Sequence, residues 1–278
     1  MRRNTQPTPI SEVSPYMHQP IRLDEIPAEI IEETGRVSEI RFPRQGYTSD
    51  VGIIESPNGR FLLKRTKGQR YGAWLARELL VLQNLRGTKL PVPAVYRSVE
   101  HGDQLWTLIQ YVEGETVRSA LLGETKPDKR HEIIYHFGAA LANIHATPCP
   151  VSLKGASDWL DDMLLRANYN LRHYTVDGTP ELLDRITNNK PVPVQNTLIH
   201  GDYTIDNVLV REGNVTAVID WSGGSFGDPR YDAALAIRPK PHAFQVPEEA
   251  DIFFAGYGAK ILNEQEYAYF KDGLNEFF

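Results

Sequence analysis

One cysteine in 278 residues leaves Cys149 without an internal partner, so neither a disulfide framework nor a cysteine-based zinc site is available. No apolar run approaches the roughly 20 residues that a membrane helix needs. The opening stretch MRRNTQPTPISEVSPYMHQP has arginines but no apolar core behind them, which predicts no secretory leader. Basic residues are outnumbered, 30 Lys and Arg against 36 Asp and Glu, for a formal charge of −6. Nucleic-acid binding needs a basic face, so that class is disfavoured. Internal repeats and low-complexity blocks are also missing. What remains is 41% hydrophobic and 24% charged residues, an ordinary globular balance with enough chain for one large domain or two modest ones. The expectation is a cytoplasmic protein with no nucleic-acid and no membrane partner; the composition leaves its oligomeric state open.

The charge is unevenly spread. Up to Val112 there are 15 basic and 12 acidic residues; beyond it there are 15 and 24. The asymmetry predicts two lobes with different partners. Prolines at 7, 9, 15 and 20 make residues 1–23 an extended arm, either disordered or draped over the surface. Asp24–Thr34 is a helix candidate ended by Gly35. Strand patterns follow at 37–42, 50–55 and 60–64, the last two joined by the turn signal Ser56-Pro57-Asn58-Gly59. Leu75, Leu79, Leu82 and Leu85 recur at helical spacing over 71–86, and two more strands are expected at 94–99 and 105–112. Beyond Pro127 the pattern is helical at 131–145, 157–174 and 179–189. Short strands are expected at 197–199, 208–210 and 216–219, then helices at 229–237, 247–261 and 263–277.

The most informative stretch is TLIHGDYTIDNVLVREGNVTAVIDW, residues 197–221. An apolar strand ends in His200-Gly201-Asp202, Asn207 stands five residues on, and a hairpin delivers Asp220 at the end of the next apolar run. Two carboxylates and a carboxamide on adjacent strand ends are hard oxygen ligands of the kind that suit Mg²⁺ bridging to substrate phosphates. The spare carboxylate, Asp202, is free to take a proton from a hydroxyl. Turn residues alone would account for one aspartate, but not for Asp-x4-Asn followed by hairpin, strand and Asp.

HGD-x4-N with a downstream IDW resembles the aminoglycoside phosphotransferase and choline kinase-like family, relatives of the protein kinases. The resemblance implies an α+β, two-lobed protein kinase-like fold, with a five-stranded antiparallel sheet plus a helix in the small lobe and a larger, mostly helical second lobe. It divides the chain into an arm and short helix (1–35), a nucleotide-binding lobe (36–112) and a catalytic, acceptor-binding lobe (113–278). It makes Asp202 the catalytic base, Asn207 and Asp220 the metal ligands, and His200 a packing element of the catalytic loop. Mg²⁺ is the implied cofactor, ATP or GTP the co-substrate, and a small hydroxylated molecule the acceptor: an aminoglycoside, a macrolide or another cationic metabolite.

Such a fold demands a strand lysine paired with a helix glutamate. Lys64 ends the strand Phe61-Leu62-Leu63. With Leu75 as zero, Glu78 falls at about 300° on a helical wheel, between Leu82 at about 340° and Leu85 at about 280°. A carboxylate inside the apolar stripe needs a cation, and Lys64 is the obvious one. Thr48 or Ser49, in Gly46-Tyr47-Thr48-Ser49-Asp50, stands where kinases cover the phosphates, although G-x-G-x-x-G is lacking. Leu108-Ile109-Gln110-Tyr111-Val112-Glu113-Gly114 matches the hinge, with Ile109 at the rear of the pocket and the Gln110 carbonyl and Val112 N–H on the adenine edge. Asp228 and Asp232, in Gly227-Asp228-Pro229-Arg230-Tyr231-Asp232, are assigned to bracing the metal and catalytic loops. Asp158, Asp161 and Asp162 near Trp159 would suit a cationic acceptor, with a solvated helix face as the plainer account.

Two other functions compete. A protein kinase would carry Arg at position 201, Phe-Gly after Asp220 and an APE segment; this chain has Gly201 and Trp221-Ser222 instead. A catalytically silent nucleotide-binding scaffold would not be expected to keep Lys64, Asp202, Asn207 and Asp220 together. His131 and His136 are five apart, about 140° around a helix, which is the wrong spacing for a zinc pair.

Overall fold

The computed structural model describes residues 18–43 and 48–278. Strands β1 (Glu39–Arg41), β2 (Asp50–Ser56), β3 (Gly59–Lys67), β4 (Val95–His101) and β5 (Gln104–Gln110) form one antiparallel sheet in the order β1-β2-β3-β5-β4. The β2–β3 hairpin closes at Ser56 opposite Gly59, and Gly59 takes the positive φ (125°) that the tight turn requires.

Side chains alternate across a strand, so β3 sends neighbours to opposite faces. Leu63 and Arg65 share one face with Ile54, Trp106 and Leu108; Lys64 points the other way, toward helix α2 (Gln69–Leu85). The first face is covered by helix α1 (Ala28–Thr34) and the chain before it, through Ile21, Ile26 and Ile30. Residues 18–26 are thus draped over the sheet, while the arm's first 17 residues lie outside the described residues. The Asp24–Thr34 helix is not continuous: a short turn at Leu23–Glu25 precedes Pro27, which caps α1 and cannot donate a helical N–H.

Arg65 is fully buried on this face. Its guanidinium donates to Asp50 Oδ2 at 2.7 and 3.0 Å, to Glu25 at 2.9 Å and to the Gln19 carbonyl at 2.7 Å, and lies 5.2 Å over the Trp106 ring. The backbone N–H of Gln19 donates to Asp50 in return. One buried cation therefore ties the covering segment to the start of β2.

The other lobe is mostly helical: α3 (Val117–Gly123), α4 (Pro127–Ala146), α5 (Trp159–His173), α6 (Pro180–Asn188), α7 (Pro229–Ala236), α8 (Pro247–Tyr257) and α9 (Glu264–Lys271). Among them lie β6 (Glu115–Thr116), β7 (Thr197–Ile199), β8 (Val208–Arg211), β9 (Asn214–Val218) and β10 (Ser225–Gly227), paired as β6-β8-β9 and β10-β7. The sequence pattern does not announce β6, α3 or β10, which are each seven residues or fewer. The helix expected over 247–261 stops at Tyr257 because Gly258 takes a left-handed φ of 93°. The one expected over 263–277 is broken at Gly273 into α9 and a final turn, Leu274–Phe277.

Helix α2 joins the lobes. Leu75 and Leu79 meet Leu105 of the sheet, while Val81, Leu82 and Leu85 enter the large-lobe core with Ile134, Phe137, Leu141, Tyr203 and Trp221. Inside that core α4 and α8 approach to backbone contact: a Cβ on Gly138 would sit 2.0 Å from the Phe253 carbonyl, and one on Gly256 2.0 Å from that of Tyr135. Among the described residues no helix is long and apolar enough to cross a membrane.

Gly138→Ala forces α4 and α8 apart and should cost about 3 kcal/mol. Urea denaturation should show a lowered midpoint with an unchanged m-value; an unmoved midpoint would contradict the packing.

Candidate active site

Strand β7 ends at Ile199, and the loop beyond it is fixed by Asp232, His200 and Gly201. Asp232, fully buried on α7, accepts the His200 N–H at 2.6 Å and the Gly201 N–H at 2.8 Å, one on each carboxylate oxygen. His200 donates from Nε2 to the Ile219 carbonyl (2.8 Å) and accepts the Asp202 N–H at Nδ1 (3.2 Å). Both ring nitrogens are spent, so His200 organises the loop and has no lone pair for proton transfer. Gly201 has φ 80°, and a Cβ there would lie 2.4 Å from the Gly223 carbonyl. No side chain fits between the two loops, least of all the arginine of a protein kinase.

Beyond Asp202, Tyr203 is buried, stacked on Phe137 at 4.7 Å and donating to the Phe137 carbonyl. Asn207 Nδ2 donates to Asp202 twice, to the backbone oxygen at 2.8 Å and to Oδ2 at 2.9 Å. The Asn207 backbone carbonyl accepts the Ile219 N–H at 2.9 Å, so Ile219 clamps both His200 and Asn207 and carries Asp220 to their side. Asp220 is left-handed (φ 61°, ψ 56°), and the next residue, Trp221, is buried and donates to the Val218 carbonyl.

Lys64 closes the arrangement from the small lobe. Its ammonium lies 2.8 and 3.0 Å from the two oxygens of Glu78 and 2.6 Å from Asp220 Oδ1. Lys64 and Glu78 are both buried, while Asp220 is half exposed. Burial works to lower the Lys64 ammonium, but Asp220 and Glu78 outweigh it and raise it above its ordinary value. The two carboxylates do not share the cation equally. Lys64 holds Asp220 below the usual carboxylate range, whereas burial, with the charge of Asp220, keeps Glu78 above it.

Asp202 is exposed to solvent, yet the protein around it removes part of the hydration of its carboxylate. That desolvation pushes its carboxyl up to about 6, although the Asn207 amide pulls the other way. Only Oδ2 is engaged by a described residue. Asn207, its amide spent on Asp202, keeps a side-chain carbonyl oxygen without a donor among the described residues, and Asp220 keeps the oxygen that Lys64 does not hold. These are two hard donors that fit Mg²⁺, a cation that retains waters and bridges to phosphates. Among the described residues no group of three or more His, Cys, Asp or Glu is placed to hold a metal, in keeping with so open a donor set.

The remaining sequence candidates fall in several places. Ile109 is buried between β3 and β4, and Gln110 ends β5 with its N–H on the Ala94 carbonyl (2.8 Å); Val112 lies two residues on, half-buried. Gly114 packs on the β8–β9 hairpin, where a Cβ would meet the Val210 carbonyl at 2.9 Å. Ser49 is buried and Thr48 half-buried, while Gly46 and Tyr47 lie outside the described residues. Asp228 does not reach the catalytic loop: it caps α7 and pairs with Arg230 at 2.6 Å, which reaches on to Glu266. The acidic trio is likewise engaged locally. Asp158 caps α5, Asp161 pairs with Lys190, and Asp162 accepts from Ser157.

Sequence inspection misses two positioning groups. Arg118, in the first turn of α3, grips Asp206 of the catalytic loop through both oxygens at 2.5 and 2.6 Å. His145 sits between the Tyr257 hydroxyl (2.8 Å) and Asp232 (3.4 Å), buttressing the carboxylate that holds the loop. Neither belongs to a local motif; each pair is joined only by the fold, 88 and 87 residues apart in sequence.

A small sheet lobe whose buried lysine reaches a carboxylate of a larger helical lobe, beside a strand-end aspartate and asparagine, defines a kinase-fold phosphotransferase. Residues 39–270 match the model of the Phosphotransferase enzyme family, and the chain belongs to it. An aminoglycoside 3'-phosphotransferase of Niallia circulans is 27% identical over 263 residues, covering 91% of this chain and 97% of that protein. The crystal structure of an aminoglycoside-3'-phosphotransferase of type VIII superposes with a TM-score of 0.75 at 20% identity, covering 92% of this chain and 99% of that one. An aminoglycoside phosphotransferase solved as a ternary complex with ADP and hygromycin B gives 0.62 at 20%, covering 83% and 82%. The protein is therefore a phosphotransferase with an alcohol group as acceptor.

Holding an ionised carboxylate at Asp202 opposes folding. Its raised value means that the folded state binds the proton more tightly than the unfolded chain, so this contribution to stability is present at low pH and is lost as pH rises toward and through about 6. Asp202→Asn should raise Tm at pH 8 and change it much less at pH 4. Equal shifts at both pH values in thermal melts would contradict the desolvation.

Proposed function

We propose that the chain transfers the γ-phosphate of a nucleoside triphosphate, ATP or GTP, to a hydroxyl of a small molecule, with Asp202 as the base and Mg²⁺ as the cofactor. The carrying observation is the unengaged oxygen of Asp202 beside an Asn207–Asp220 donor pair. The acceptor oxygen bonds to the γ-phosphorus, the bond from that phosphorus to the β–γ bridging oxygen breaks, and the hydroxyl proton passes to Asp202. The products are a phosphate monoester and a nucleoside diphosphate.

Asn207 holds the Asp202 carboxylate in place through Nδ2 and, with Asp220, would hold the metal. Mg²⁺, when bound, supplies charge neutralisation of the transferring phosphoryl group. Lys64, kept charged by its carboxylates, positions the nucleotide phosphates from the small lobe, and Glu78 keeps Lys64 in register. Ile109, Gln110 and Val112 offer the base its backbone edge, and Thr48 and Ser49 cover the phosphates. Asp232 and His200 fix the loop that carries Asp202. This division of labour puts the lobe boundary after Val112, with residues 113–278 supplying metal and acceptor contacts. The contact between Gly201 and Gly223 favours a small-molecule kinase over a protein kinase, and the protein is assigned to the cytoplasm. The relatives' names make a polycationic aminoglycoside one acceptor to test.

Asp202→Ala should lower kcat for phosphoryl transfer at least about a hundredfold while nucleotide affinity changes less than about twofold. Undiminished transfer would sink the assignment. In the wild type, kcat/KM should fall about tenfold per pH unit below about 6 as Asp202 takes up its proton. Activity should need Mg²⁺ and be abolished by EDTA.

A further inference from the structure

The loop that carries Asp220 is held from the small lobe by two cations, at two places. Lys64 takes the Asp220 carboxylate at 2.6 Å. Four residues on, the Gly224 carbonyl accepts from Arg77 Nη2 at 2.8 Å. Arg77 stands next to Glu78 on α2, and about 100° of helix rotation separates the two. Glu78 therefore turns to the sheet and Lys64, while Arg77 turns to the large lobe. Val81, one turn beyond Arg77 on the same side of the helix, closes on the same glycine: a Cβ on Gly224 would lie 2.6 Å from Val81 Cγ1. The far side of the loop rests on the catalytic loop. A Cβ on Gly201 would meet the Gly223 carbonyl at 2.4 Å, and one on Gly223 would meet the His200 carbonyl at 3.0 Å. Residues 220–224 are thus pressed between α2 and the residues that lead into Asp202.

The two contacts differ in what loading of the site does to them. Lys64 and Asp220 are the groups that face the nucleotide phosphates and the metal, so their bridge uses the very atoms that ligands need. Arg77 and the Gly224 carbonyl have no such competitor. The loop still needs its carboxylate at a fixed point, because Mg²⁺ demands near-octahedral geometry. We propose that Arg77 is a positioning residue for phosphoryl transfer: through Gly224 it keeps the Asp220 loop on α2 independently of the bridge to Lys64. The proposal rests on the Mg²⁺-dependent function above and adds the residue that sets the metal side of the site.

The test is calorimetric binding of ADP or GDP, whichever the wild type takes, to the full chain with Mg²⁺ and with EDTA. The wild type should bind more tightly with Mg²⁺. Arg77→Met should leave affinity in EDTA within about twofold and cut the Mg²⁺-dependent gain at least about fivefold. Arg77→Gln, too short to reach the carbonyl but still polar at a half-buried position, should act as Arg77→Met does, and Arg77→Lys, which keeps a charged donor, should recover part of the gain. In the ligand-free protein, backbone hydrogen exchange should quicken across residues 221–225 of Arg77→Met while α4 exchanges as in the wild type, which separates a loosened loop from a weakened fold. An undiminished gain, or exchange across 221–225 identical to wild type, overturns the positioning role and leaves the phosphotransferase standing. So does an equal loss of affinity in EDTA, which would place Arg77 in the fold at large. A wild type that binds neither nucleotide, or binds it no better with Mg²⁺, overturns the metal assignment and the role of Arg77 with it.

Discussion

One ammonium, that of Lys64, holds the two lobes in electrostatic register. It is buried on β3, faces a buried glutamate on α2, and reaches a carboxylate at the end of a hairpin 156 residues away. A buried charge with no partner would cost several kcal/mol, and removing one member of a buried pair typically costs about 3–5 kcal/mol. The sheet, α2 and the Asp220 turn are therefore constrained to one another before any ligand arrives. Two carboxylates compete for the cation, and the division between them is unequal: Asp220, at the cleft, stays ionised, while buried Glu78 bears the cost of burial. That inequality leaves Asp220, the half-exposed carboxylate, as the one that carries its charge toward solvent.

The catalytic loop is held by a different device. Among the described residues none makes a side-chain ion pair with its centre; a buried carboxylate, Asp232, receives two consecutive backbone amides instead. His200 then spends one ring nitrogen on Ile219 and the other on Asp202's own amide, and Arg118 takes Asp206 at the far end. The glycine-to-glycine contact at 201 and 223 brings this loop against the turn that follows Asp220. Asp202 is presented at the end of a fixed frame, with one oxygen held and the other open, which is the preorganisation that proton transfer and charge stabilisation require.

Much of this was legible in the sequence, for identifiable reasons. The five-strand lobe follows from alternation and one strong turn, and the long helices from their apolar stripes. Glu78 stood out because a charge inside an apolar stripe breaks the pattern, and the structure does bring it to Lys64. The same test applied to β3 would have exposed Arg65, which shares its face with Leu63 and ends fully buried; adjacent cations on one strand concealed that they point oppositely. What periodicity cannot carry is pairing over long separations. Arg118 with Asp206, His145 with Asp232 and Arg65 with Glu25 each join elements that only the fold makes neighbours. Asp228 and Asp232 looked alike in one short motif, yet four residues along a helix send one to an N-cap and the other to the catalytic loop.

Net charge shows the same limit from the other side. The acidic excess beyond Val112 suggests a cationic acceptor when carboxylates are merely counted. In the structure Asp158, Asp161, Asp162, Asp206, Asp228 and Asp232 already have donors, and committed charges present little field to a ligand. Arg238 keeps a buried Nε with no hydrogen-bond partner among the described residues, so pairing differs from residue to residue in a way that a count does not show. A ligand entering the cleft meets uncompensated charge at short range, where screening is weakest, and not the sum over the domain. The summed charge of a lobe is therefore no measure of the charge that a ligand meets, because paired carboxylates and unpaired ones count alike in the sum.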